Sequence, residues 1–93
     1  MKVVINTSFG GFSLSEAAIE RFCELDGLNP ADFYAQMVER NDPNLIQVVQ
    51  ELGVAAETIY SELKIVEVPD DVKWHIHEYD GMEHVAEDHR TWD

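Results

Sequence analysis

Residues 72–86 read VKWHIHEYDGMEHVA. Val72, Trp74 and Ile76 alternate with Lys73, His75 and His77, the two-residue period of a strand with one buried face. Asp80-Gly81 then supplies a strong signal for a two-residue hairpin turn, which needs positive φ at both central positions. Met82 to Ala86 returns antiparallel. The turn sets a register: Tyr79 faces Met82, Glu78 faces Glu83, His77 faces His84 and Ile76 faces Val85. Pairing Ile76 with Val85 keeps one face apolar. Glu78 opposite Glu83 puts two like charges on that same face, which is therefore expected to become wet toward the turn.

Working back from the hairpin, Leu63 to Val68 (LKIVEV) reads as a strand ending at Pro69, and Pro69-Asp70-Asp71 as a turn, so the last third reads as a β-meander. Asp42-Pro43 is a helix start. Leu45, Ile46, Val49 and Leu52 make an apolar stripe, and Gly53 closes it. Residues 54–61 are expected to hold a further helical turn and a loop. Asn29-Pro30 is another start signal, but residues 31–40 read equally as a short helix or an irregular strand. An earlier helix carries Leu14, Ala18, Phe22 and Leu25 on one stripe, with Gly27 as its left-handed stop. Ser13 and Glu16 match a capping box at its start. Lys2 to Asn6 (KVVIN) is a short strand expected to be buried on both faces. The fold class is α+β: one domain, residues 1–93, with a small, mostly antiparallel sheet and two to three helices packed on one side.

The chain has 93 residues, 45% of them hydrophobic and 27% charged, which is a globular composition. The N-terminus is too short and too soon broken by glycine to read as a signal peptide, and no apolar run approaches membrane-spanning length. The lone Cys23 permits no intrachain disulfide and reads as a small buried hydrophobe in a reduced cytoplasm. Nineteen acidic against six basic residues give a net charge of −13. Such a surface repels nucleic acid and anionic membranes and favours basic partners or cations. Its extreme form is a protein that imitates the phosphate charge of DNA.

Three constellations could carry chemistry. The first is the junction Asn6-Thr7-Ser8-Phe9-Gly10-Gly11-Phe12, where a strand meets two glycines just before a helix. Glycines let backbone approach a ligand, and helix N-termini hold anions. The second is His75, His77 and His84, which the register places on one hairpin face, where three imidazoles could bind zinc. The third is the tail His89-Arg90-Thr91-Trp92-Asp93, with Arg40 as a related candidate, since Arg and Trp anchor interfaces and suit stacking and phosphate contacts. No GxSxG, HExxH or CxxC occurs, so the residues favour a non-enzymatic protein without a cofactor.

The blocks KVVINTSFGGFSLSEAA (2–18), RNDPNLIQVVQELG (40–53) and LKIVEVPDDVKWHIHEYDGMEHVAEDHRTW (63–92) resemble a family of small uncharacterised proteins of bacteriophages, prophages and some bacteria. The resemblance covers nearly the whole chain. It implies a phage-related accessory protein working in the host cytoplasm, and it points to the GGF junction, Arg40-Asn41-Asp42-Pro43 and His89-Arg90-Thr91-Trp92. His75 and His77 do not belong to the family pattern. The expected function is a non-enzymatic binding protein that sequesters or blocks a host component, such as a host-defence factor or its nucleotide-like ligand. The expected site is Asn6, Thr7, Phe9, Gly10, Gly11, Phe12, Arg40, His89, Arg90 and Trp92. The partner would be a host protein or a small anion, with no direct nucleic acid or membrane contact. An apolar sheet with an exposed edge also makes a homo-oligomer an expectation. The alternatives are an acidic module or DNA mimic directed at a nucleic-acid-binding host protein, and a metal protein built on His75, His77 and His84.

Overall fold

The computed structural model describes residues 1–87. Strand β1 (Lys2–Asn6) pairs antiparallel with β2 (Leu63–Glu67), Val4 facing Ile65. Strand β3 (Trp74–Tyr79) pairs with β4 (Met82–Glu87) as a second two-stranded sheet. Helices α1 (Glu16–Asp26) and α2 (Pro43–Leu52) complete the α+β architecture.

The layering follows from β1. Val3, Val4 and Ile5 are all buried, so the strand needs cover on both faces. Val4, with Leu63 and Ile65 of β2, meets a core of Leu14, Ala18 and Phe22 from α1 and its approach, and Leu45, Ile46, Val48 and Val49 from α2. Val3 and Ile5 point the other way and pack with Val68, Trp74, Ile76 and Val85. Each fully buried aliphatic side chain contributes about 1.5–3 kcal/mol, so a strand apolar on both faces gains most as the middle layer. This accounts for one departure from a meander. The hairpin β3–β4 forms in the expected register, but β2 pairs with β1 and not with β3. The hairpin is left to cover the second face of β1.

The helix signals hold with one correction. Asp42 caps α2, accepting from the N–H groups of Asn44 and Leu45, and Gly53 ends it. Gly27 ends α1 at φ 69°. The cap of α1, however, is Ser15, whose hydroxyl accepts from the Ala18 N–H at 3.2 Å. Ser13 is held elsewhere: its hydroxyl bonds the Thr58 hydroxyl at 2.7 Å and its carbonyl accepts from the Ser61 hydroxyl. The capping box of Ser13 with Glu16 therefore does not form, and Ser15 is fixed as the cap by its own N–H to Ala56 O at 2.9 Å. The ambiguous stretch 31–40 is no strand and no continuous helix; it holds two single 3₁₀ turns, Pro30–Asp32 and Ala35–Met37. The further helical turn expected after α2 is the 3₁₀ turn Gly53–Ala56.

Candidate functional site

The second edge of β1 carries the N–H groups of Val4 and Asn6, which point away from β2. No strand of the described residues pairs along this edge. The Val4 N–H donates to the Arg40 carbonyl at 2.8 Å, and the Asn6 N–H donates to the Glu83 carboxylate at 2.9 Å. Glu83 is 6% exposed, and Arg40 meets it with both terminal nitrogens, Nη2 donating to Oε2 at 2.9 Å. The guanidinium also lies over the Phe12 ring, 3.6 Å from its centre. A carboxylate this deep is stable only when its charge is paired and its lone pairs are used, and here they are. The like-charge pair Glu78–Glu83 is thus resolved differently from the wet face expected of it. Glu78 is exposed, while Glu83 is buried and neutralised by Arg40.

Phe12, Ala35, Val38, Arg40, Glu78 and Glu83 line a cleft of about 210 Å³. It sits at the outer side of the ion pair. It combines an aromatic ring, a guanidinium and two carboxylates, one of which (Glu78) is exposed. That set can stack on a planar ring and accept hydrogen bonds from amino or hydroxyl groups. Arg40 brings no spare positive charge, because Glu83 already holds it.

The glycine junction turns inward. Asn6 is fully buried, and its amide joins three segments: Nδ2 donates to Ser8 O and Gly81 O, each at 2.7 Å, and Oδ1 accepts from the N–H groups of Ser8 and Glu62. Thr7 bonds Glu62 O through both its N–H and its hydroxyl. A β-carbon at Gly10 would overlap the Tyr60 carbonyl, and one at Gly81 would overlap Phe9 O and lie 2.8 Å from Gly11 N. The close approach that glycine allows is therefore made by the chain to itself. Gly11 adopts φ 92° with open space beside it. The glycines also lie several residues before the α1 cap, so they present no helix N-terminus. Phe12 packs against the helical core, and Phe9 stands 62% exposed.

His77 and His84 face each other as the register requires, with ring centres 4.9 Å apart. Among the described residues no three His, Cys, Asp or Glu side chains are placed to hold a metal ion. His75 lies one repeat further along β3, opposite Ala86, and cross-strand diagonal neighbours are about 7–8 Å apart. His89, Arg90 and Trp92 lie outside the described residues.

Of the sequence candidates, the structure brings Asn6, Phe9, Gly10, Gly11, Phe12 and Arg40 to one region around the hairpin turn. Glu83, Glu78, Ala35 and Val38 were not among those candidates. Glu83 had one signal, an acid at an apolar-face position, which demands a cation. No helix of the described residues is long and apolar enough to cross a membrane. No family model matches the chain, and neither a curated protein nor a solved structure is significantly similar to it.

Proposed function

We propose that this protein is a non-enzymatic binding protein that sequesters a small nucleotide-like ligand in the cleft between Phe12, Arg40 and Glu78. The observation that carries this reading is that one small cleft brings together an aromatic ring, a guanidinium stacked on it and an exposed carboxylate. A nitrogen-rich ring or ribose suits that lining: the apolar atoms take its faces, and Glu78 accepts from its amino or hydroxyl groups. The cleft is smaller than the roughly 300–1,000 Å³ of a drug-sized pocket, so it takes one ring of such a ligand and leaves the phosphates outside. The role proposed with it, in line with the resemblance to bacteriophage and prophage proteins, is that of an accessory factor that removes a host signal or blocks a host component in the cytoplasm.

Two measurements test this. A native mass spectrum of protein from bacterial cells should show added mass matching a nucleotide-like molecule. Calorimetric titration with AMP, ADP-ribose and a cyclic dinucleotide should give saturable heat with at least one of them, reduced in Glu78→Lys and Arg90→Ala. A bare chain mass together with flat titrations would end the reading.

A further inference from the structure

Three segments meet at the end of the molecule where the hairpin turns. The Phe9–Gly11 backbone lies against Tyr60 on one side and against Gly81 on the other, so closely that neither Gly10 nor Gly81 has room for a β-carbon. This clasp holds out large side chains that the core does not take up. Phe9 and Tyr60 are each 62% exposed, Tyr79 74% and Ile59 89%. Single exposed apolar side chains are ordinary, but several large ones carried to one end of a molecule by segments whose backbones touch mark a contact surface.

The charge around this end selects its occupant. Residues 5–20, 41–63 and 74–87, which supply all three segments, contain no lysine or arginine, while Glu57, Glu62, Glu78 and Asp80 stand among them. A second copy of the chain would bring another −13 of charge against it, and nucleic acid or an anionic lipid surface would be repelled in the same way. A basic protein segment would be attracted. Exposed Phe and Tyr rings beside carboxylates favour arginine in particular, whose flat, weakly hydrated guanidinium stacks on a ring while its N–H groups reach an acid.

We infer that the Phe9–Tyr60–Tyr79 end is a docking surface for an arginine-rich segment of another protein. It adjoins the Phe12–Arg40 cleft, with which it shares Glu78, and it stands whether or not that cleft takes a ligand. The test is fluorescence anisotropy of the full chain with a labelled arginine-rich peptide, a lysine peptide of equal charge, and an acidic control. The arginine peptide should bind tightest, with affinity falling steeply between about 50 and 500 mM salt. The double variant Phe9→Ala/Tyr60→Ala should keep its thermal midpoint and lose at least about tenfold in affinity for that peptide. Equal binding to wild type and the double variant would mean diffuse charge alone and overturn the proposal. So would equal binding of the arginine and lysine peptides, failure of the arginine peptide to bind at low salt, or wild-type self-association that the double variant abolishes.

Discussion

Arg40 and Glu83 lie 43 residues apart in the chain and meet as a two-pronged ion pair at the edge of β1. The backbone carbonyl of one takes the Val4 N–H, and the carboxylate of the other takes the Asn6 N–H. Together they stand where a third strand would otherwise bond. Glu83 is buried and Arg40 part-buried, and removing either leaves its partner's charge and hydrogen bonds unmatched, which costs about 3–5 kcal/mol. Urea unfolding should show losses of that size for Arg40→Ala and for Glu83→Ala. The double replacement Arg40→Met/Glu83→Leu should lose less than the sum of the two, because it leaves no orphan charge. Additive losses would mean that the pair does not act as a unit.

Asn6 ties the hairpin turn, the glycine loop and the start of β2 through one side chain. Asn6→Asp keeps the shape and removes both N–H donors, turning an acceptor toward the Ser8 and Gly81 carbonyls. Buried unsatisfied groups cost about 1–3 kcal/mol each, so the variant should be destabilised by about 2 kcal/mol or more. Amide exchange should speed up first at the hairpin turn and residues 7–11. A variant as stable as wild type would show that these bonds are replaced by water.

Gly10→Ala and Gly81→Ala place a methyl group into backbone, of Tyr60 and of Phe9 respectively. Overpacking of this kind costs about 1–3 kcal/mol, and backbone yields less easily than a side chain. Gly11→Ala meets no neighbour and carries only the cost of its positive φ, about 1–2 kcal/mol. Thermal denaturation should therefore rank Gly10→Ala and Gly81→Ala below Gly11→Ala. The opposite order would mean that the loop does not clasp the hairpin.

Glu51 accepts from Arg21 and Gln47, and these bonds, Arg21 first, hold its pKa down at about 2. In the unfolded chain the group returns to the ordinary range near 4.3. Between those values the unfolded state binds more protons, so stability rises with pH there and is lost as pH falls toward 2. Glu51→Gln should flatten the acid limb of the stability curve in that window. High salt should shrink the wild-type effect, since the pair is only partly shielded from solvent. A Glu51 carboxyl titrating near 4.3 by NMR would contradict the pairing.

Burial, with the nearby Asp26 carboxylate, pushes the Cys23 thiol up. A neutral, enclosed thiol is a poor nucleophile. Ellman's reagent should leave it untouched in native buffer and modify it completely in denaturant. Rapid reaction of the folded protein would place the thiol at the surface, beside the open hollow of Glu20, Glu24 and Pro30 that it lines.

What the sequence by itself determined is local. Asp80-Gly81 forms its turn with φ of 53° and 90°, and that turn alone sets the register of β3 and β4, down to His77 opposite His84. Asp42, Pro43 and Gly53 mark α2, and Gly27 stops α1, because caps and stops act within a few residues of themselves. What the tertiary structure decided depends on groups far apart in the chain. β2 chose β1 over β3 because a strand apolar on both faces had to be buried between two layers. Ser15 replaced Ser13 as cap because Thr58 and Ser61 claim Ser13 from more than 40 residues away. Glu83, read as part of a wet like-charge pair, went inside because Arg40 is there to neutralise it. The glycine pair looked like an opening for a ligand, but the approach it permits is taken by Tyr60 and by the hairpin turn. Turn chemistry is written in neighbouring residues, whereas burial and charge pairing are settled only when the whole chain has found which surfaces it can cover.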